Sequence, residues 1–211
     1  MAYIGQAPAN KPVEGSDISS TVITGQTALA TAPVETEEFL ISDAGTLKRI
    51  DASLVVGGGK INQVVQTVKT DIFTSTTASL TDVTGFSVSI TPTATSSKVL
   101  VMAQYNLGVS SGYKMYSSLL RGSTEIYKGD AAGSRVRVSF GSKANANDDV
   151  RAVSHIFLDS PNTTSATTYK IQAYPENGGT LVFNASKNSN DSDQAIYSRD
   201  AASITVMEVL A

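Results

Sequence analysis

The sequence predicts an all-β protein: an antiparallel β-sandwich of jelly-roll type, preceded by an extended N-terminal arm that contains a small β-hairpin. First, only 17% of the 211 residues are charged and 41% are hydrophobic, and the remaining polarity comes largely from Ser, Thr, Asn and Gly, which suits strands and turns. Second, about ten segments of alternating or continuous apolar residues are separated by turn signals. Third, the pattern has no repeat in sequence, which disfavours a β-propeller or a β-helix.

Residues 1–36 are predicted to form the extended arm. Their large apolar side chains, such as Tyr3, Ile4, Val13 and Ile18, are scattered without a sustained period. A segment of this kind buries too little apolar area to offset the entropy cost of ordering it. We therefore expect the arm either to be disordered or to gain order against another chain.

Residues 37–56 are predicted to form a short hairpin that serves as a docking module. Phe39–Ser42 reads as one strand and Thr46–Ile50 as the return strand, with Asp43-Ala44-Gly45 as the turn. A lone hairpin is only marginally stable in water. We therefore expect this unit to dock onto another surface.

Residues 57–60 are predicted to be a glycine linker. A phosphate-binding loop would require Ser or Thr after the lysine and a helix beyond it. Here Lys60 is followed by Ile61 and by a strand pattern, so Gly57-Gly58-Gly59 indicates a joint between two parts of the chain.

Residues 61–211 are predicted to form the β-sandwich. Lys98–Val109 is the longest apolar segment and is expected to be a central strand, and Glu176–Gly179 has the composition of a hairpin turn. The predicted strands are Ile61–Thr70, Asp71–Thr77, Phe86–Ile90, Lys98–Val109, Tyr113–Gly122, Thr124–Asp130, Arg135–Phe140, Val150–Asp159, Thr168–Pro175, Thr180–Ser186 and Ser203–Leu210.

Charge and composition argue against several function classes. The formal net charge of −3 disfavours nucleic-acid binding. No apolar run approaches the roughly 20 residues that span a bilayer, and the first residues lack the pattern of a secretory signal, so we expect no membrane insertion. The chain has no cysteine, which excludes disulfides and thiolate metal sites.

No residue pattern indicates an active site, and we predict no catalytic residue, cofactor or resident metal. The single histidine, His155, lies in a strand pattern where a packed core histidine is expected. No G-x-S-x-G nucleophile turn occurs. The paired acids Asp148-Asp149 and Asp191/Asp193 lie in polar segments typical of solvated loops, and calcium binding within Asn188–Asp193 is an alternative.

Two groups of residues are candidates for glycan contact. Arg135 and Arg137 alternate with valines, which suits either a basic stripe for an anionic glycan or an ordinary exposed strand. Tyr113 and Tyr116 could stack on sugar rings, although we expect most of the tyrosines to serve packing.

Several stretches resemble the tail-fibre and other virion appendage proteins of marine bacteriophages, including those that infect cyanobacteria and pelagic bacteria. "MAYIGQAP" resembles their opening, and "FLISDAGTLKRIDASLV" resembles a short module that recurs in them. "QVVQTVKTDIFTSTTASLTDVTGFSVSITPTATSSKVLV", "LLRGSTEIYKGDAAGSRVR", "FLDSPNTTSATTYKIQA" and "ITVMEV" resemble their C-terminal β domain.

The resemblance implies a virion structural protein, a homotrimer, whose N-terminal segment attaches to other virion proteins such as a tail adaptor, a nozzle or the capsid. Host attachment through a surface glycan is the expected role of the distal domain. The short chain favours a short tail fibre, with a head fibre or capsid decoration protein as the alternative; a glycan-depolymerising enzyme and a free carbohydrate-binding module are further alternatives. The candidate anchoring residues are Tyr3, Ile4, Phe39, Leu40, Ile41, Leu47 and Ile50.

Overall fold

The computed structural model describes residues 38–43, 46–51, 60–189 and 192–211. These residues form thirteen β-strands and no helix, which confirms the all-β prediction. The strands are β1 (Glu38–Asp43), β2 (Thr46–Asp51), β3 (Ile61–Lys69), β4 (Phe73–Ser75), β5 (Thr81–Ile90), β6 (Lys98–Val109), β7 (Lys114–Arg121), β8 (Thr124–Tyr127), β9 (Phe140–Lys143), β10 (Val150–Asp159), β11 (Thr167–Pro175), β12 (Leu181–Phe183) and β13 (Ala202–Val209).

The chain divides into two compact units, residues 1–57 and 58–211. In the first unit, β1 and β2 pair antiparallel from Glu38 opposite Asp51 to Asp43 opposite Thr46, as the predicted hairpin requires. The predicted arm and most of the predicted glycine linker lie outside the described residues.

The second unit contains two antiparallel sheets, and the larger one is built around β6; we call it the β6 sheet. β10 runs along one side of β6, and β13 and β12 share the other side. β3 lies beyond β13, and β4 lies beyond β12. The prediction that Lys98–Val109 forms a central strand is therefore confirmed.

The other sheet is built around β7, and we call it the β7 sheet. β11 pairs with β7 on one side and with β5 on its own far side. β8 and β9 divide the opposite side of β7 between them. The turn between β7 and β8 contains Gly122 at φ 58, a backbone conformation that glycine adopts without steric cost.

The hydrophobic core fills the space between the two sheets, as the sandwich prediction requires. Alternate residues of each strand face inward because successive side chains of a strand point to opposite faces. An aromatic cluster lies at the centre, where the Tyr105 and Phe183 rings stack at 5.2 Å and Phe86 packs on Phe183 at 5.1 Å. Leu119 of β7 and Ile171 of β11 close the core from the other sheet, and both are fully buried.

A partly buried ion pair ties the two sheets together at the C-terminal end of β10. Arg121 of β7 donates from Nη1 to both carboxylate oxygens of Asp159, at 2.9 and 2.8 Å, and the Tyr169 hydroxyl donates to Oδ2 at 2.7 Å. Burial raises the pKa of Tyr169, and the adjacent carboxylate adds to the effect. The phenol therefore remains protonated and serves as a donor to Asp159.

The strand predicted over Arg135–Phe140 is wrong over most of its length, because only Phe140 belongs to β9. A turn bonds the Arg135 amide to the Ala132 carbonyl, and Gly133 at φ 59 allows the reversal. The Arg137 guanidinium donates to the Gly129 carbonyl at 2.8 Å. The segment with alternating Arg and Val is therefore a loop held by hydrogen bonds between its own residues.

The hairpin predicted at Glu176–Gly179 is also wrong, although Gly178 does adopt a positive φ of 88. β11 before the turn belongs to the β7 sheet, and β12 after it belongs to the β6 sheet. The Glu176 amide bonds to the Lys114 carbonyl, whereas Thr180 exchanges hydrogen bonds with Ser110 just beyond β6. The turn therefore carries the chain from one sheet to the other.

Candidate interaction surfaces

The outer side of the β6 sheet carries three rows of neighbouring side chains across four strands. The registers of β3, β13, β6 and β10 align these rows, because directly opposite residues in antiparallel strands lie side by side. We call these residues the uncharged face. The first row is Val64, Met207, Leu100 and Leu158; the second is Gln66, Thr205, Met102 and Ile156; the third is Val68, Ser203, Gln104 and Ser154.

The uncharged face is apolar at one end and neutral-polar at the other. All four residues of its first row are apolar, and Met102 and Ile156 extend that apolar area into the second row. Ile156 is 64% exposed, Val64 is 55% and Leu158 is 46% exposed. None of the twelve residues is charged and none is aromatic. Exposed apolar clusters of this kind mark interaction sites more often than isolated exposed residues do.

A buried carboxylate supports the apolar end of this face from the inside. Glu208, the neighbour of Met207 on β13, is fully buried. Its carboxylate accepts hydrogen bonds from Gln63 Nε2 at 2.7 Å, Asn62 Nδ2 at 2.9 Å, and both the amide and the hydroxyl of Thr93 at 2.6 and 2.8 Å. Burial acts to raise the pKa of Glu208, but these hydrogen bonds outweigh it and hold the pKa below its usual value. Glu208 thereby fixes β3 and the turn before β6 to β13.

The polar end of the face is bordered by the segment that follows β12. A side chain at Gly108 would place its Cβ 2.6 Å from the Ala185 carbonyl oxygen and 3.0 Å from Ser186 Cα. The segment therefore lies directly on β6 at this point, which only glycine permits. A shallow depression between this border and the third row is lined by Gln104, Asn106, Ser154 and neighbouring residues.

The outer side of the β7 sheet, which we call the charged face, has a different character. Lys170 of β11 and Asp82 of β5 form an ion pair at 2.8 Å, and Gln172 donates to the same carboxylate at 2.7 Å. The hydrogen bond from Lys170 is the largest of the effects that lower the pKa of Asp82. Ser118 donates to Glu125 on the β8 side at 2.9 Å. Charges of both signs are therefore paired along this face.

The charged face also carries a pair of aromatic rings. Tyr116 of β7 and Tyr174 of β11 lie opposite each other, with ring centroids 4.9 Å apart. Gly141 of β9 lies on the other side of Tyr116, and a Cβ there would come within 3.2 Å of the Tyr116 ring. Both tyrosines are half-buried, and burial raises the pKa of Tyr174.

The structure does not bring the predicted glycan-contact residues together on one surface. Tyr113 packs against the core and against the turn glycines Gly178 and Gly179, whereas Tyr116 lies on the charged face. Arg135 and Arg137 lie in the 128–139 loop, and no stripe on a strand forms. Tyr174, rather than Tyr113, is the aromatic partner of Tyr116.

The predicted anchoring residues fall partly outside the described residues. Tyr3 and Ile4 lie outside them. Phe39 and Ile50 face each other across β1 and β2 and are half-buried. Leu40, Ile41 and Leu47 lie in the same two strands.

His155 belongs to a buried polar chain in the core, as the sequence predicted. Its Nε2 lies 2.9 Å from the Tyr105 hydroxyl, which lies 2.7 Å from Ser117 Oγ. Burial lowers the pKa of His155 to about 4 and raises that of Tyr105. His155, Tyr105 and Ser117 are all at least 97% buried, so the three polar groups satisfy one another inside the sandwich.

The paired acids take structural roles in loops. Asp149 caps its own turn by accepting the Asn145 amide at 2.7 Å; this bond is the main cause of its lowered pKa. Asp148 accepts a hydrogen bond from Asn188 at 2.7 Å, which joins two loops. Asp191 lies outside the described residues, and within those that are described no three acidic or histidine side chains form a metal-binding group. The described part of the chain also contains no helix that could span a membrane.

No protein-family model matches this chain, and no curated protein matches it either. Among solved structures it is similar to a structure of the Gx strain of infectious bursal disease virus, at 12% identity and a TM-score of 0.33. It is also similar to a VP2 subviral particle of that virus, at 14% identity and a TM-score of 0.32. In both cases 80% of this chain is covered, and the chain spans only 45% of the length of the matched chain.

Proposed function

We propose that this chain is a structural protein of a bacteriophage virion, a short tail fibre or similar appendage that attaches through its first unit and displays its sandwich. The observation that carries the proposal is the contrast between the two units. The second unit has two sheets and a core of its own. The described part of the first unit is a single two-stranded ribbon, and a ribbon of this size is marginally stable without a supporting surface.

The sequence resemblance supports a virion protein as the owner of that surface. "FLISDAGTLKRIDASLV", which resembles a module of phage appendage proteins, covers β2 and all of β1 except Glu38. In the proposed role the ribbon and the arm before it bind another virion protein, such as a tail adaptor, a nozzle or the capsid, and three copies of the chain form the appendage. The proposed role is structural, and the Ser117–Tyr105–His155 group is enclosed in the core.

The attachment half of the proposal is tested by reconstitution on particles that lack the protein. The full chain and a fragment comprising residues 57–211 are added to such particles, and bound protein is measured after sedimentation of the particles. We expect the full chain to bind and the fragment to stay in solution while it keeps a cooperative unfolding transition. Equal binding of both would overturn the assignment of the first unit as the anchor. Electron microscopy of the bound chain separates a tail location from a head location.

In this role the charged face is the surface offered to the host. The half-buried rings of the Tyr116–Tyr174 pair provide an aromatic surface, and Lys114 and Glu176, which form an ion pair at 3.6 Å near it, provide hydrogen-bonding groups. Aromatic rings flanked by polar groups suit the stacking of sugar rings. Screening the chain on arrays of host-surface glycans tests this part: binding that is lost in Tyr174→Ala and kept in Tyr197→Ala supports it, and no difference between the two variants contradicts it.

A further inference from the structure

We infer that the uncharged face of the β6 sheet is the surface through which copies of this chain bind one another. The inference rests on the proposed function, because it names the contact that would hold the appendage together. Two features of the face carry it: its lack of charge and the composition of its strands.

Two strands of the β6 sheet, β6 and β10, have the composition of strands that are buried on both sides over part of their length. In β6, Leu100 and Met102 on the outer side alternate with Val99, Val101 and Ala103 on the inner side. β10 repeats this pattern, with Ile156 and Leu158 facing out. An antiparallel sheet with one side in water normally alternates apolar and polar residues, whereas continuous apolar runs are typical of strands covered on both faces. The composition of the apolar end of the face is therefore that of a surface covered by other protein.

The absence of charge favours an identical copy as the occupant. When identical surfaces meet around a symmetry axis, each residue near the axis approaches its own counterpart, so any charge there meets a like charge. None of the twelve residues of the uncharged face creates that repulsion, and the charge of Lys98 on the same side lies beyond the first row, at the start of β6. Its polar members, such as Gln66, Gln104 and Ser154, carry side chains that both donate and accept hydrogen bonds. Each of these side chains can therefore hydrogen-bond to the same side chain of another copy.

The same features disfavour the other classes of occupant. A charged partner would find no complementary charge on the face, and charge complementarity is what steers such partners. A glycan would find no aromatic ring among the three rows. The charged face of the β7 sheet offers both features, so the two faces are suited to different ligands.

The face supplies about half of the area that a stable pairwise interface buries on each partner. Four strands about 4.8 Å apart and three rows about 6.8 Å apart enclose roughly 400 Å². A stable pairwise interface buries about 800 Å² on each partner. Three copies that turn this face toward a common axis share one apolar centre, and contacts between neighbouring edges at β3 and β10 add to the area. The most exposed apolar residues of the face, Ile156 at 64% and Val68 at 56%, lie on those two edge strands.

The test measures the mass of the full-length chain by analytical ultracentrifugation over a range of concentrations. Val64→Lys combined with Leu158→Lys places two charges in the first row. The matched control is Val136→Lys combined with Ile196→Lys, since Val136 and Ile196 are 54% and 80% exposed and lie in loops outside the face. Both double variants add the same charge and remove similar exposed apolar groups.

We expect the unaltered chain and the control to form the same oligomer, and the Val64→Lys/Leu158→Lys variant to be monomeric with an unchanged circular dichroism spectrum. Because an unpaired charge is costly to bury, its dissociation constant should rise about 100-fold or more. Three outcomes would overturn the inference. The first is that the unaltered chain is monomeric at all concentrations. The second is that the Val64→Lys/Leu158→Lys variant keeps the oligomer. The third is that the only change in this variant is faster cleavage of residues 1–37 by proteases, which would identify that segment as what covers the uncharged face.

Failure of this inference is distinguishable from failure of the proposed function. Self-association is measured on the free chain, whereas attachment is measured on particles. A chain that binds particles but stays monomeric in solution contradicts only the inference. A chain that oligomerises through the uncharged face but does not bind particles contradicts only the proposed attachment.

Discussion

The two outer faces of the sandwich share one architecture and differ in chemistry. Both belong to twisted antiparallel sheets over the same core, yet one face pairs charges of both signs around Lys170 and Asp82 while the other has twelve neutral side chains. The core does not require this difference, because either outer face could be hydrated. The difference therefore points to two environments outside the molecule, water around one face and protein over the other.

The largest effect on stability is expected from Glu208, the buried carboxylate beneath the uncharged face. Glu208→Ala removes the acceptor of four hydrogen bonds from Asn62, Gln63 and Thr93, of which Gln63 keeps a second bond, to the Thr91 carbonyl. We expect the free energy of unfolding to fall by about 4 kcal/mol, since hydrogen bonds to a charged group are among the stronger ones. Urea denaturation measures the change.

Glu208→Gln is the control for that prediction, since it keeps one acceptor oxygen in place and should cost clearly less. Because the pKa of Glu208 is lower in the folded chain, its stabilising contribution is present above the ordinary glutamate pKa of 4.5 and is lost as the pH falls below it. A Glu208→Ala protein as stable as the unaltered one would show that the carboxylate does not hold β3 in place.

A smaller effect on stability is expected from His155, the histidine buried in the core between the two sheets. His155 has a pKa of about 4 in the folded chain against 6.5 for an ordinary histidine. Between these two pH values the unfolded chain is therefore protonated at this histidine and the folded chain is not. Stability should therefore be complete above pH 6.5 and decline as the pH falls toward 4, by as much as about 3 kcal/mol.

The His155→Gln variant separates this contribution from those of the carboxylates. Urea denaturation at a series of pH values should show a weaker pH dependence in the variant across that window. Parallel profiles for the two proteins would mean that His155 is not buried in neutral form.

The smallest effect is expected on the charged face. Asp82→Asn breaks the ion pair with Lys170, but the Asp82 side chain is 57% exposed and exposed pairs contribute less than about 1 kcal/mol. We expect a small drop in melting temperature and an unchanged oligomer in ultracentrifugation. A loss of the oligomer in this variant would reverse the roles given to the two faces.

Local patterns in the sequence were enough to predict the strands that local chemistry determines. The length and apolar content of Lys98–Val109 identified the central strand, and the break between the strands predicted at Tyr113–Gly122 and Thr124–Asp130 placed the turn between β7 and β8. The position of His155 among alternating apolar residues identified it as a core residue.

The features that the sequence did not predict depend on contacts between distant segments. The glycines after Glu176 allow a reversal whether the next strand joins the same sheet or the other one, and only the pairing of Thr180 with Ser110 decides it. The uncharged face was missed for the same reason, because Val64, Leu100 and Leu158 become neighbours only through the registers of four strands. The one feature of the sequence that indicated this face is that both the inward and the outward residues of β6 are apolar over Val99–Ala103.

Hydroxyl-radical footprinting of the full-length chain at low and high concentration tests the central claim, that the uncharged face is covered by another copy. Met102 and Met207 report on the uncharged face, Tyr174 reports on the charged face, and the fully buried Met115 serves as the internal reference. The account predicts that oxidation of Met102 and Met207 falls as the concentration rises while modification of Tyr174 stays constant. Oxidation of both methionines at the same rate at every concentration, or protection of Tyr174 instead, would contradict it.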